Sequence, residues 1–218
     1  MDSSVSTEKD DIGWGSTHGS IYIEIPSEAV QLATVRMRWA EIMHIKNPSK
    51  IVQLAAVQEN GYAIQYIENP DEDVQLAAVQ QNGSAIQWIM SPSEAVQLAA
   101  VQQNGYAILY IKNPSKAVQL ATVRKNGYAI QFINNPSEAV QLTAVQQWGY
   151  AIQLIESPSE VVQLAAVRED GCIIRHIKLP TEAVQLAAVQ QDPDAIKFIK
   201  NPSDELQTYA ELLKLGKS

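Results

Sequence analysis

Apolar residues along this chain recur with a period of 22. Counted from its proline, each unit opens at residue 26, 48, 70, 92, 114, 136, 158 or 180, and eight full copies run to 201 without insertion or deletion. In every copy position 5 is Val, 6 is Gln, 7 is Leu and 10 is Val, and positions 17 and 20 are Ile. Such identity within one chain means that each copy meets the same surroundings, as stacked units do.

The first half of the unit, A-V-Q-L-A-A-V-Q, is rich in helix formers and poor as a strand. Asn (or Ser) before the proline reads as the N-cap, proline as the first helical position and Glu as the third, as in Asn69-Pro70-Asp71-Glu72. The helix is expected to run to about position 12. It should stop at Asn-Gly, as at Asn60-Gly61, with glycine in the left-handed conformation. A second helix, 62–68 in the second copy, then ends at the next proline.

Helices this short are unstable alone and must bury their apolar surface on one another. The predicted fold is therefore all-α, an α-solenoid of eight two-helix repeats over 26–201 with atypical capping ends. Residues 1–16 read as a mobile acidic segment. Residues 17–25 read as a degenerate cap, because Ile23 falls in the column of position 20, and 202–218 as a C-terminal capping helix.

On a 100° wheel the first helix is apolar around nearly its whole circumference, so it is expected to be buried on most sides. The invariant glutamine lies among those residues and includes Gln53, Gln75, Gln97, Gln119, Gln141 and Gln163. A buried amide needs partners. It forms either a structural ladder, bonding an adjacent repeat or a loop, or a row of ligand contacts.

In the second helix Ala at position 16 and Ile at 17 and 20 form the inward face. Positions 15 and 19 point away from it, yet hold nine of the 14 aromatic residues. Column 15 contributes Tyr62, Tyr106, Tyr128 and Tyr150; column 19 contributes Tyr66, Trp88, Tyr110, Phe132 and Phe198. Trp148 replaces the turn asparagine beside them. Pairing at i, i+4 would make a stripe. The rings either pack between successive second helices or form an exposed protein-binding surface. Trp39, in a glycine column, reads as an end effect.

Charge and chemistry narrow the function classes. The chain carries a net −8, half of it in residues 1–25, so the array is nearly balanced. That disfavours nucleic-acid binding, which needs cations, and weakens a nucleic-acid mimic directed at a nuclease, which needs dense negative charge. No apolar run is long enough to span a membrane, and the polar N-terminus lacks a secretory pattern, so a cytoplasmic protein is expected. The single cysteine, Cys172, reads as a buried free thiol, and His44 and His176 lie six repeats apart. No catalytic, metal or cofactor constellation is evident, and the acidic residues at position 3 read as helix caps.

The segment Ala56-Val57-Gln58-Glu59-Asn60-Gly61-Tyr62-Ala63-Ile64, with its equivalents across 26–201, resembles the short helical repeats grouped as a bacterial and viral family of unknown function. The resemblance implies a repeat architecture and a viral source, in phages or giant viruses; it implies no activity and no binding residues. The expected function is a non-enzymatic protein-binding scaffold, with self-association into a homo-oligomer as one form. By analogy with phage proteins, it would capture a host defence protein in the host cytoplasm. The alternative from another class is a small-molecule or nucleotide sponge with its pocket between protomers.

Overall fold

The computed structural model describes residues 26–216; the expected segments 1–16 and 17–25 lie outside them. Among the described residues the chain is an α-solenoid of helices only. Each repeat is one α-helix followed by one 3-10 helix of six residues. The α-helices are α1 (Glu28–Met37), α2 (Lys50–Glu59), α3 (Glu72–Gln81), α4 (Glu94–Gln103), α5 (Lys116–Lys125), α6 (Glu138–Gln147), α7 (Glu160–Glu169), α8 (Glu182–Gln191) and the longer α9 (Asp204–Leu215). Successive α-helices pack side by side, and the 3-10 helices form a second row against them. The core is the seam between the rows. In the fourth repeat it holds Val96, Ala100, Val101, Ala107 and Ile108. At the end of the array α9 packs on the eighth 3-10 helix, and Lys214 reaches Asp194 at 2.8 Å.

The α-helices begin two residues later than the cap pattern suggested. The N-cap is position 2: Ser49, Ser93 and Thr181 accept from the backbone N–H of Val52, Val96 and Val184. Proline stands before the cap, and the asparagine before it has left the helix path altogether. Asn47, Asn69, Asn113, Asn135 and Asn201 adopt φ between 46° and 54°. Asparagine tolerates that region better than other residues with a side chain, which accounts for its recurrence there.

The acid at position 3 is the first helical residue. Its partner is the cap hydroxyl of the next repeat: Glu94 accepts from Ser115, and Glu160 from Thr181. It therefore ties one N-terminus to the next in addition to complementing the helix dipole.

The glycine reading is also corrected. Among the described residues no glycine has positive φ. The α-helix ends because position 13 is extended, as at Asn60 with φ −154° and ψ 117°. Glycine is required by its neighbour: a Cβ on Gly83 would lie 2.4 Å from the carbonyl oxygen of Ala100 in the next repeat. Its N–H donates to Gln103 Oε1 of that repeat at 2.8 Å.

The extended asparagine opens the second element by accepting on its side chain from the N–H two residues on, as Asn104 does from Tyr106. This element is a 3-10 helix, with bonds such as Ile67 N to Ile64 O at 3.1 Å. Three residues per turn point positions 14, 17 and 20 inward together, so Gly61, Ile64 and Ile67 are all buried.

The first helix is less enclosed than its wheel suggested. Positions 5, 9 and 10 are buried through the interior repeats, whereas Ile51 and Val161 at position 4 are exposed. The invariant glutamine is half-buried. In the six repeats from Gln53 to Gln163 its Nε2 donates to the carbonyl of its own repeat's proline, at 2.8–3.1 Å. The bond therefore closes the repeat's own loop and does not reach the adjacent repeat.

Gly83→Ala is expected to destabilise the chain by about 1–3 kcal/mol, because backbone must move to admit the methyl group. Gly105→Ala should cost less, since its Cβ would meet Asn126 Cβ at 3.0 Å and Thr122 O at 3.5 Å. Urea denaturation midpoints of the two variants check the order.

Candidate functional site: an aromatic face

The 3-10 geometry decides how the aromatic columns meet. In a 3-10 helix residues three apart eclipse, so positions 15 and 19 do not stack within a repeat as an i, i+4 pair would. The rings meet across repeats instead, column 15 of one against column 19 of the next. Tyr106 packs edge-to-face on Phe132 at 6.1 Å and Tyr150 on His176 at 5.6 Å. Trp148 extends this contact, lying 5.6 Å from Tyr128 and 6.2 Å from Tyr150. At the other end Trp39 stacks on Tyr66 at 6.5 Å, so this presumed end effect belongs to the stripe.

These contacts do not bury the rings. Trp88 is 50% exposed, Tyr110 45%, Tyr106 42%, Tyr128 40%, Trp148 39% and Tyr66 37%. Tyr62, Phe132 and Tyr150 are half-buried. Ser84 stands in column 15 before Tyr110 and supplies no ring, unlike Tyr106 before Phe132. Leu109 and Met90, which reading by column passed over, are exposed beside the rings. Their signal is a break of identity, apolar residues at positions 18 and 21 where most copies are polar.

Through repeats 2–6, columns 15, 18 and 19 contain no charged residue. Column 18 is glutamine in four of these five repeats, and Gln65 and Gln87 fold back onto the carbonyls of Tyr62 and Ser84 at 3.0 and 3.1 Å. The face is thus built of rings and amides.

Its character changes in repeats 7 and 8. Arg175 and Lys197 replace the glutamines and flank the Phe198 ring at 5.1 and 5.0 Å. Arg175 also donates to Tyr150 Oη at 3.1 Å, and that hydroxyl donates to Asp170 at 3.1 Å. Cys172 is half-buried, not fully buried, and donates to Asp192 at 3.1 Å. Burial pushes its thiol pKa up and the Asp192 contact adds to that, which keeps it protonated and a poor nucleophile. His176 and His44 stay in the same column six repeats apart.

Among the described residues no cluster of three or more His, Cys, Asp or Glu is placed to hold a metal ion, and no helix is long and apolar enough to cross a membrane. Fold and face together define a stacked helical-repeat protein with a row of exposed aromatic residues along one side. Comparison with known proteins gives no matching family model, curated protein or solved structure.

Burial and the neighbouring Arg175 charge both lower the His176 pKa below its ordinary 6.5. The folded chain then binds fewer protons than the unfolded one, so this contribution is complete above pH 6.5 and is lost as pH falls through the folded value. Wild type is expected to lose more stability between about pH 7.5 and about pH 5 than His176→Gln does, measured by urea midpoints at both pH values.

Proposed function

We propose that this protein is a non-enzymatic scaffold that binds another protein through its aromatic face. The observation that carries the reading is the row of half-exposed rings crossing five successive repeats without a charge in its three columns. Exposed apolar surface of this extent is disfavoured unless it is covered in use, and Tyr and Trp supply large contact areas at low entropic cost. Columns 15, 18 and 19 of repeats 2–6 hold neither the cations that phosphates need nor the dense negative charge that a nucleic-acid mimic needs, which ranks both readings below this one. Capture of a host defence protein is the form the reading takes if the resemblance to viral repeats is followed.

The test uses wild type and the Tyr106→Ser/Tyr110→Ser variant, both rings being exposed. Light scattering gives the solution mass of each, and affinity capture gives the proteins each retains. The expected result is a protein retained by wild type and reduced at least about tenfold on the variant, as for loss of an interface hot spot. A wild-type oligomer that becomes monomeric on substitution would make the partner a second copy. Equal retention by both chains would remove the aromatic face from the function.

A further inference from the structure

Resting on that reading, we propose that repeats 7 and 8 carry a carboxylate site, in which Arg175 and Lys197 take an acidic side chain of the partner protein. The two cations converge on one ring: the Arg175 guanidinium carbon lies 5.1 Å from the Phe198 centroid and Lys197 Nζ 5.0 Å from it. Arg175 is braced. Its Nε donates to His176 Nε2 at 3.2 Å and its Nη2 to Tyr150 Oη at 3.1 Å, which leaves its other N–H groups to bind an anion. Both residues are exposed, and among the described residues neither lies in an ion pair. The neighbouring acids are engaged elsewhere. Asp170 accepts from Tyr150 Oη at 3.1 Å and from the Cys172 N–H at 2.9 Å. Asp192 accepts from Cys172 Sγ at 3.1 Å and from the Asp194 N–H at 2.9 Å. Asp194 pairs with Lys214 at 2.8 Å, and Lys197 acts on it only from beyond ion-pair distance.

Charge selects the occupant. In columns 18 and 21, repeats 7 and 8 carry Arg175, Lys178, Lys197 and Lys200, all exposed. The six repeats before them have only Lys46 and Lys112 in these columns, three repeats apart. Glu156 stands in column 21 of repeat 6 and bounds the patch on that side. Cations gathered in two adjacent repeats attract an anion. Its size follows from Asp170, Asp192 and Asp194, which stand beside the four cations and keep the surplus of positive charge small. One carboxylate answers that surplus, whereas a phosphate dianion or a nucleic-acid backbone would meet the aspartates with excess negative charge. The braced Arg175 fork and the Lys197 ammonium both suit carboxylate oxygens. Phe198 and the neighbouring Tyr150 and Trp148 rings put apolar surface beside the cations, so the acid is expected next to an aromatic or aliphatic residue of the partner. The site gives the aromatic row a direction, with uncharged columns through repeats 2–6 and an anion receptor in repeats 7 and 8.

The probe is a short unlabelled peptide with one glutamate between a tryptophan and a leucine, its binding to the full chain measured by calorimetry at low salt. Comparison peptides carry glutamine or phosphoserine in place of the glutamate. The glutamate peptide is expected to bind wild type about fivefold more tightly than the glutamine peptide, a preference that shrinks as salt is raised. The phosphoserine peptide should bind no more tightly than the glutamate peptide. Arg175→Gln and Lys197→Gln should each abolish most of the preference, and Lys112→Gln should leave it intact. Lys197→Gln is the cleaner variant, since Arg175 also braces Tyr150. Circular dichroism checks that each variant remains folded. Failure of the glutamate peptide to bind, equal binding of the glutamine peptide, a preference that survives Lys197→Gln, or tighter binding of the phosphoserine peptide overturns the proposal. Any of these, alongside protein retention that falls on Tyr106→Ser/Tyr110→Ser, overturns the carboxylate site and leaves the protein-binding reading standing. Failure of the glutamate peptide together with equal retention by both chains overturns both.

Discussion

The structure depends on the distance at which one repeat meets the next, and that distance is set at glycine. Where Gly83 faces the carbonyl of Ala100, and Gly61 that of Ala78, an ideal Cβ would stand 2.4 Å from an oxygen. Backbone therefore meets backbone, with a glutamine side chain clasping the glycine N–H from the far side. Gly61 bonds Gln81 and Gly171 bonds Gln191 in this way, each at 2.7 Å. A contact this close leaves no slack along the chain. It accounts for the fixed period through the six copies that carry the glycine, since an extra residue would displace it from its carbonyl and expose the valine and isoleucine seam; Trp39 and Pro193 take its place in the first and eighth copies.

The second consequence is conformational. The close approach is reached through an extended residue at position 13, and the six residues that follow coil as a 3-10 helix. Three residues per turn align the glycine with both isoleucines on the inner side. That alignment leaves columns 15 and 19 on different faces of their own helix. Rings of columns 15 and 19 that do meet, such as Tyr106 and Phe132, therefore belong to adjacent repeats. The aromatic face is a by-product of the tight winding, assembled from several repeats rather than from any single helix.

Much of this was legible in sequence. The period, the helical class and the inward isoleucines followed from repetition alone, and the outward position of columns 15 and 19 followed from the isoleucines. The turns were misread for an identifiable reason. Asn-Gly and Asn-Pro-Ser-Glu have meanings in isolated helices, as a left-handed stop and an N-cap. Here the two asparagine roles are reversed in conformation: Asn69 before the proline is left-handed and Asn60 before the glycine is extended. Only the carbonyl of the neighbouring repeat reveals why glycine is present, and nothing within one unit points to it. The invariant glutamine was ambiguous for a similar reason, since its acceptor is a proline carbonyl that a helical wheel does not display.

Departures from the consensus divide the face into two parts with different physical character. In repeats 5–7, Trp148 replaces a capping asparagine and joins Tyr128, Tyr150 and His176 into one chain of rings. Asp170 and Arg175 then fix the Tyr150 hydroxyl. These side chains are held by one another, although Tyr128 and Trp148 stay 40% and 39% exposed. In repeats 2–4 the opposite substitutions occur. Ser84 removes a ring, and Met90 and Leu109 add exposed apolar surface. Trp88 and Tyr110 are the most exposed rings there. Open rings carried on packed helices lose less entropy on contact than those on a flexible loop of the same composition would. The two halves of the array therefore present the same columns in different states, open rings in repeats 2–4 and rings engaged with one another in repeats 5–7.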